Sequence, residues 1–202
     1  MNSAQLTSIL SGLADQGWCV LPDFLSPDAV ATLREECLAR HAGGAFHRAG
    51  VGSGRAEVLS EVRSDHILWL EPDDPHPAVR RYLDLTEQLR QAVNRDFFLG
   101  LHELEAHFAL YPEGSFYKKH LDRFRDDDRR TLTAIVYLNP PDWHDEDGGQ
   151  LRFWTDPSGE GDPVVIQPTG GTLVTFLSEL YWHEVAPARR PRLALTGWYK
   201  RR

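Results

Sequence analysis

Cysteine is scarce in this sequence, and its scarcity excludes a fold held together by disulfides. The two cysteines, Cys19 and Cys37, lie in segments whose patterns predict a strand and an amphipathic helix. Disulfide frameworks belong to oxidising compartments, and isolated cysteines in regular elements are mostly buried, inert thiols. We therefore predict two free thiols and a cytoplasmic protein.

Long apolar runs and an excess of positive charge are also absent. No stretch approaches the roughly 20 apolar residues that cross a bilayer, and no basic segment leads into an apolar run at the N-terminus. Asp and Glu number 30 against 22 Lys and Arg, which gives a formal net charge of -8. Such a charge repels phosphate groups, so we predict no nucleic-acid partner and no membrane partner.

The first half of the chain carries helical patterns. Its 202 residues, of which 41% are hydrophobic, suffice for one filled core, and we predict one domain over residues 1–202. Apolar residues at helical spacing predict a helix that ends at Gly17, a second that begins at Ser26-Pro27, and a third over residues 79–93. Residues 1–100 are thus predicted to be helix-rich.

A segment without helical periodicity separates the second and third predicted helices. Residues 43–54 are glycine-rich and polar, which predicts a loop, and residues 58–70 hold apolar positions compatible with a pair of strands. Loops of this length often carry function. We predict that residues 43–70 form a finger-like loop on the helical support.

The second half of the chain, residues 101–202, carries strand patterns. Leu104, Ala106, Phe108 and Leu110 alternate with Glu103, Glu105 and His107. Further short β-type runs follow at residues 132–138, 151–154, 164–166, 172–176 and 193–199. Many short strands separated by turn residues predict a sandwich or barrel, here an α+β, mainly β fold with helices packed on one face.

Three residues of this half are candidate metal ligands. His120 and Asp122 are separated by one residue, so their side chains point to the same face of an extended strand, and His183 lies in another strand-like segment. Two imidazoles and one carboxylate suit iron(II) in oxygenases, because three coordination positions stay open. Zinc accepts the same ligands with a water, so ligand type alone leaves oxidation and hydrolysis open.

Arg192 favours oxidation. It stands nine residues after His183, a distance that suits a return on the neighbouring antiparallel strand. There its fixed fork of donors can clamp a carboxylate with two hydrogen bonds. A structural salt bridge is the more common role for a single arginine on a strand, but its position after a candidate metal ligand indicates an anchor for a carboxylate-bearing cosubstrate.

At this point the sequence resembles the prolyl-hydroxylase-like oxygenases that use 2-oxoglutarate and iron(II), particularly their oxygen-sensing branch. Several ordered motifs at compatible spacing carry the resemblance through most of the second half. They are Tyr111-Pro112 with Gly114, Tyr117, His120-x-Asp122, Arg130-x-x-Thr133, Tyr137-Leu138-Asn139, Trp143, Gly148-Gly149-x-Leu151-Arg152, Pro168, Phe176, His183-Glu184-Val185 and Arg192-x-x-x-Thr196-x-Trp198-Tyr199.

The resemblance implies a role for each matching residue of the candidate site. His120, Asp122 and His183 would bind iron(II) and form the catalytic centre. Arg192 would pair with the distal carboxylate of 2-oxoglutarate, and Tyr137 would donate a second hydrogen bond to that carboxylate. Dioxygen would be the other cosubstrate, and ascorbate (vitamin C) an accessory reductant.

The resemblance also implies the fold and further pocket residues. The family has a double-stranded β-helix, a distorted jelly roll with supporting N-terminal helices. Tyr111, Tyr117 and Trp198 match positions that line the pocket around the cosubstrate, although aromatic residues in alternating strands are more often core. The sequence ends at Arg202, soon after the Trp198 strand, which favours a compact, bacterial-type relative.

A weaker similarity concerns the contact with substrate. Arg63, Asp65 and Trp69 resemble the strand-loop-strand finger that closes over peptide substrate in the same branch, and with Tyr117 they are our candidate substrate-binding residues. A connecting hairpin explains the pattern equally well. The glycine-rich loop with Arg55 would belong to the same cover.

The expected reaction is hydroxylation of a prolyl residue in a protein, coupled to decarboxylation of 2-oxoglutarate to succinate and CO2. An oxygenase of small molecules or free amino acids would use the same metal and anchor residues, and the sequence separates the two poorly. A binding or sensing relative without turnover is a third hypothesis, which the intact candidate ligands oppose.

The sequence predicts no catalytic role for the other histidines and acidic residues discussed below. Residues 144–147 combine a histidine with three acidic side chains, but their position before Gly148-Gly149 favours a solvated acidic turn over a metal site. His102 and His107 flank a strand, and we predict ordinary polar or core positions for both.

Overall fold

The computed structural model describes residues 1–50, 61–123 and 129–202. The helices are α1 (Ser3–Gln16), α2 (Pro27–Ala42) and α3 (Pro77–Phe97). The strands are β1 (Trp18–Leu21), β2 (His47–Arg48), β3 (His66–Trp69), β4 (Leu101–Tyr111), β5 (Tyr117–His120), β6 (Arg130–Tyr137), β7 (Leu151–Phe153), β8 (Val164–Ile166), β9 (Leu173–Leu177), β10 (His183–Val185) and β11 (Arg192–Arg201).

The ends of α1 and α2 follow from their capping residues. The Asn2 side chain accepts a hydrogen bond from the Gln5 amide at the start of α1, and Gly17 ends this helix at a φ of 75°. Ser26 caps α2, with Pro27 in its first turn. The predicted end of the first helix and start of the second are therefore confirmed.

Two antiparallel sheets form the β part of the protein. Within the described residues, the larger sheet has the order β1-β9-β6-β11-β4-β3-β2, and the smaller has the order β5-β10-β7-β8. From β4 onward the chain passes back and forth between them, so that β4, β6, β9 and β11 lie in the larger sheet. This connectivity is that of a jelly roll and confirms the predicted double-stranded β-helix.

The central strands of the larger sheet are buried on both faces. Successive side chains of a strand point to opposite faces, so one set packs under the helices and the other faces the smaller sheet. The helix-facing set includes Phe108, Leu132, Leu195 and Tyr199. The side chains that line the cleft between the sheets include His107, Tyr111, Ile135, Tyr137, Arg192, Thr196 and Trp198.

Helix α3 supports the strands that carry the cleft residues. The Tyr199 hydroxyl on β11 donates a hydrogen bond of 2.8 Å to the Thr86 carbonyl oxygen, and both side chains are buried.

Cys19 and Cys37 are free and buried, as predicted, and burial raises the pKa of the Cys37 thiol to about 12. Of the helices in the described part of the chain, none combines the length and apolarity needed to span a membrane.

The described part of the finger-like segment contains two short strands. Within residues 61–70 there is one strand, β3, and it pairs antiparallel with β2 on one side and β4 on the other. β3 therefore joins the larger sheet between β4 and β2. Residues 51–60, including Arg55 of the predicted loop, lie outside the described residues.

Candidate active site

Three side chains that were separate in the sequence converge in the cleft. His120 ends β5 and lies opposite His183 in the antiparallel pairing with β10, while Asp122 follows two residues after His120. The Asp122 carboxylate oxygens lie 3.6 Å from Nε2 of His120 and 3.5 Å from Nε2 of His183. In the described residues this is the one group of three or more potential ligands whose atoms lie within 4.8 Å of one another.

Backbone hydrogen bonds orient both imidazoles. Nδ1 of His120 lies 2.7 Å from the Lys118 carbonyl oxygen, and Nδ1 of His183 lies 3.0 Å from the Tyr181 carbonyl oxygen. A carbonyl oxygen only accepts, so each Nδ1 carries the proton and donates. The lone pair of each Nε2 therefore faces the Asp122 carboxylate, as metal coordination requires.

Asp122 is fixed by a second set of hydrogen bonds. The Thr133 hydroxyl donates to its Oδ2 at 2.8 Å and, having spent its proton, accepts from the Ser178 hydroxyl at 2.8 Å. Burial raises the pKa of the Asp122 carboxyl, but the neighbouring His183 and His120 side chains outweigh it and hold this pKa well below its usual range. Asp122 is thus an ionised, oriented carboxylate and a candidate metal ligand.

The donor set fits iron(II). Two Nε2 atoms and one carboxylate form a compact group with one side turned to the cleft, which leaves coordination positions for other molecules. Residues 144–147 instead form a short 3-10 turn with no buried member, in keeping with the acidic turn that we predicted.

A buried cation lies elsewhere in the same cleft. Arg192 begins β11 and is 2% exposed, and its Nε donates to the Gly149 carbonyl oxygen at 2.8 Å. Its guanidinium carbon lies 4.9 Å from the Tyr111 ring centre and 5.1 Å from that of Tyr137. Among the described side chains, none supplies a carboxylate within salt-bridge distance of this guanidinium.

The Tyr137 side chain lies beside Arg192 and adds a second candidate group for binding an anion. Its hydroxyl is fully buried and has no hydrogen-bond partner within the part of the chain that the structure describes. Burial, partly opposed by Arg192, raises the pKa of this phenol to about 12, so the hydroxyl keeps its proton. A buried cation and an unpartnered donor are costly unless an anion pairs with them. The arrangement fits the distal carboxylate of a dicarboxylic acid.

Gly149 makes room for Arg192, a role that the sequence did not reveal. Its backbone lies at a φ of +70°, and a Cβ there would lie 2.8 Å from Cδ of Arg192. The arginine therefore crosses a position that tolerates only glycine, and donates to the carbonyl oxygen of that same residue.

Two of the candidate substrate residues form a buried ion pair. Nε of Arg63 donates to Oδ1 of Asp65 at 2.8 Å, and Nη2 donates to Oδ2 at 2.6 Å. Asp65 is 0% exposed. Asp65 thus holds the arginine and does not present its own carboxylate to the cleft. The Arg63 guanidinium in turn lies 4.3 Å from the Tyr117 ring centre, and Tyr117 stacks on His120 at 3.5 Å.

The other candidate substrate residue, Trp69, lies at the rim of the cleft. It is 37% exposed, and its ring lies 4.9 Å from that of His107 and 6.3 Å from that of Trp198. Arg130 covers the Trp198 ring at 3.6 Å. His107 is buried, which agrees with the predicted polar or core position, and it lines the cleft beside these rings; His102 is exposed.

The cleft therefore brings together all the candidate metal and cosubstrate residues. Its walls are formed by Arg63, His107, Tyr111, Tyr117, His120, Asp122, Ile135, Leu151, His183, Val185, Arg192, Thr196 and Trp198. Tyr137 packs against Arg192, and Thr133 and Ser178 stand behind Asp122. Thr133 appears among the resemblance motifs, but nothing in the sequence assigned its hydroxyl to Asp122.

Comparison with known proteins gives matches over the same region and over the whole chain. A profile of the 2OG-Fe(II) oxygenase superfamily matches residues 106–200. The human Egl nine homolog 1 is 31% identical over 96% of this chain, which spans about half (46%) of that protein's length. The mouse prolyl hydroxylase EGLN3 is 30% identical, with 96% of this chain and 82% of that protein covered.

A solved structure gives a match of nearly full length. The crystal structure of a Pseudomonas putida prolyl-4-hydroxylase superposes with a TM-score of 0.85 and 44% sequence identity, covering 98% of this chain and 99% of that one. The likeness therefore includes the helical support as well as the two sheets.

Proposed function

Because this chain belongs to the prolyl hydroxylase branch of the 2-oxoglutarate and iron(II) oxygenases, we propose that it hydroxylates a prolyl residue in a protein substrate. The reaction would consume dioxygen and 2-oxoglutarate and release succinate and CO2 along with the hydroxylated product. The 44% identity to a prolyl-4-hydroxylase over nearly all of both chains is the observation that carries this proposal.

The metal residues are assigned from the geometry of the cleft. We propose that His120, Asp122 and His183 hold iron(II) through their Nε2 and carboxylate atoms. Bound iron(II), with 2-oxoglutarate as electron donor, would supply the activation of dioxygen that no side chain provides. The protein's own part is to fix ligand orientation through the Lys118 and Tyr181 carbonyl oxygens.

The cosubstrate residues follow from the anion site. Arg192 would pair with the distal carboxylate of 2-oxoglutarate, and the protonated Tyr137 hydroxyl would donate to the same group. Tyr111 and Trp198 would form pocket walls on either side along β4 and β11. Their rings exclude water from the site in which oxidation takes place.

The substrate residues lie on the Tyr117 side of the metal group. Arg63, fixed by Asp65, and Tyr117, stacked on His120, would form the inner edge of the substrate channel. Trp69, partly exposed, would form its outer rim. The contacts of Arg63 with Tyr117 and of Tyr117 with His120, together with the partial exposure of Trp69, support this assignment.

Three further features belong to the same proposal. Ascorbate would return oxidised iron to the iron(II) state. Two free buried thiols support work in a reducing compartment such as the cytoplasm. A single hydrophobic core that joins α1, α2 and α3 to the larger sheet supports one functional domain over residues 1–202, with 1–100 as support and 101–202 as the catalytic core.

Incubation with a whole proteome tests the proposed function. Purified protein, iron(II), ascorbate and 2-oxoglutarate would be added to a dialysed cell lysate, and peptides would be searched by mass spectrometry for one added oxygen on proline. We expect modified proline only when 2-oxoglutarate is present, with one succinate formed for each hydroxylated residue. Oxidation of a free metabolite with no modified proline would instead identify a small-molecule oxygenase.

Gly149→Ala tests the assignment of Arg192 without touching the arginine. The new Cβ would displace the Arg192 side chain, and we expect about 10-fold weaker binding of 2-oxoglutarate, since overpacking costs at least about 1 kcal/mol. Anaerobic calorimetry of the iron(II) protein measures the affinity. Gly100→Ala is the matched control: its φ of +68° gives the same backbone strain, but nothing lies within 4 Å of its Cβ. An equal effect in both variants would mean that strain, not Arg192, is responsible.

A further inference from the structure

His107 is a polar residue of the cleft that the proposed metal and cosubstrate sites do not use. It lies on the cleft-facing side of β4, opposite Thr196 on β11 and Trp69 on β3. Its side chain is 2% exposed, and within the described residues its Nδ1 is buried with no hydrogen-bond partner. Buried polar atoms are nearly always paired, so this nitrogen indicates a molecule that binds there.

The state of the His107 ring defines what it can bind. Burial lowers the pKa of this imidazole well below its usual range, and the Arg63 and Arg130 guanidinium groups lower it further. A neutral imidazole carries one donor and one acceptor, so Nδ1 can pair with a peptide carbonyl oxygen or a peptide N–H. The neutral ring repels neither of these peptide groups, and it has no positive charge that would attract a carboxylate.

The position of His107 along the sheet separates it from the cosubstrate anchor. Arg192 lies opposite Tyr111, whereas Thr196 lies opposite His107, four residues further along β11. Four residues of strand span roughly 13 Å. His107 therefore does not reach the carboxylate that Arg192 and Tyr137 would hold.

The neighbours of His107 lead outward to solvent. Its ring contacts Trp69 at 4.9 Å and Trp198 at 5.3 Å, and Trp69 is partly exposed. The partly exposed Trp69 ring offers a flat apolar surface, which accepts many apolar groups alike, whereas the Trp198 ring is buried beneath Arg130. A directional hydrogen bond from the residue between them can fix the register of a chain that enters the cleft.

We propose that His107 is a specificity-determining residue whose Nδ1 hydrogen-bonds a peptide group of the polypeptide substrate next to the target residue. This inference rests on the proposed function and names one contact within it. It predicts that the imidazole acts on the substrate, not on iron(II) or 2-oxoglutarate.

Two substitutions separate hydrogen bonding from space filling. His107→Leu fills the volume without a polar atom, and His107→Asn places an amide near the position of Nδ1. His102→Leu is the control, because His102 lies on the same strand but is exposed. The probe is the dialysed lysate. The rate of prolyl oxidation is measured over a dilution series of lysate protein, which gives the apparent KM and kcat separately. Affinity for 2-oxoglutarate and succinate formation without lysate are measured on the same iron(II) proteins.

We expect His107→Leu to raise the apparent KM for lysate protein about 10- to 100-fold, the effect of one lost buried hydrogen bond. Its affinity for 2-oxoglutarate and its lysate-independent succinate formation should stay within twofold of wild type. His107→Asn should recover most of the loss, and His102→Leu should match wild type.

Each other outcome overturns the inference in a distinguishable way. Wild-type kinetics in His107→Leu would show that the imidazole makes no contact that matters to substrate. Parallel losses of 2-oxoglutarate affinity, or equal defects in the Leu and Asn variants, would reassign His107 to the cosubstrate site or to packing. If wild-type protein oxidises no proline, the proposed function fails first, and this inference fails with it.

Discussion

Replacing Asp122 with alanine is expected to abolish iron(II) binding and 2-oxoglutarate turnover together. The carboxylate is the only anionic member of the candidate triad, and it lies within 3.6 Å of both imidazole Nε2 atoms. Without it, two neutral ligands remain for a dication, and one corner of the facial arrangement is lost. Turnover should fall by more than about 100-fold, beyond the effect of losing an outer hydrogen-bond partner. Succinate formation and equilibrium iron(II) titration under anaerobic conditions measure the two losses.

Thr133→Val is the graded control for this prediction. It removes the 2.8 Å hydrogen bond to Asp122 and retains both the carboxylate and a side chain of similar shape. Loss of such a partner typically weakens metal binding about 10- to 100-fold, so iron(II) affinity should fall while turnover at saturating iron(II) persists. Thermal melting of the metal-free proteins checks that both variants fold. Stoichiometric iron(II) and full turnover in Asp122→Ala would refute the triad.

The metal and cosubstrate residues could be predicted because their chemistry is visible as residue types. The spacing of His120 and Asp122 is enough to bring them together. The expectation that Arg192 returns on the strand next to that of His183 is wrong, because β10 lies in the smaller sheet and β11 in the larger one. The structure puts the first pair beside His183 and places Arg192 in the same cleft. Their binding roles stay predictions until iron(II) and 2-oxoglutarate affinities are measured.

The face that lines the cleft could not be predicted so well. On β4 the alternation of apolar and polar residues predicts that Phe108 and His107 lie on opposite faces, but it does not predict what covers the polar face. In the structure Phe108 packs under the helices, while His107 is buried on the side that faces the smaller sheet. A pattern of period two distinguishes the two faces of a strand but does not show that a second sheet covers the polar one.

Contacts between distant residues were also beyond the sequence. Gly149 and Arg192 are 43 residues apart, and only the fold, which brings the segment before β7 against the start of β11, shows that a methyl group on the first would collide with the second. The two hydrogen bonds that link Ser178 to Thr133 and Thr133 to Asp122 likewise join three separate parts of the chain. The pairing of β3 with β4 has the same origin, since strand partners depend on the edges that the rest of the fold makes available.

Replacing Arg192 with methionine is expected to weaken 2-oxoglutarate binding roughly 100- to 1000-fold, or about 3 to 4 kcal/mol. Methionine keeps much of the aliphatic volume but loses the charge and the fork of donors that a carboxylate accepts. Arg192→Lys should recover only part of the affinity, because a point charge cannot reproduce two parallel hydrogen bonds. Anaerobic calorimetry with the iron(II) protein gives each dissociation constant, and iron(II) affinity should stay unchanged.

A second ligand makes the Arg192 prediction specific to one carboxylate. 2-Oxopentanoate has the keto acid end and the chain length of 2-oxoglutarate but lacks the distal carboxylate. If Arg192 pairs with that group, wild-type protein should favour 2-oxoglutarate strongly, and Arg192→Met should bind the two acids with similar affinity. Tyr137→Phe should lose a smaller part of the preference, about 10-fold, since it removes one hydrogen bond and no charge. A loss that is equal for both acids would show that Arg192 supports the fold through its bond to the Gly149 carbonyl oxygen and binds no cosubstrate.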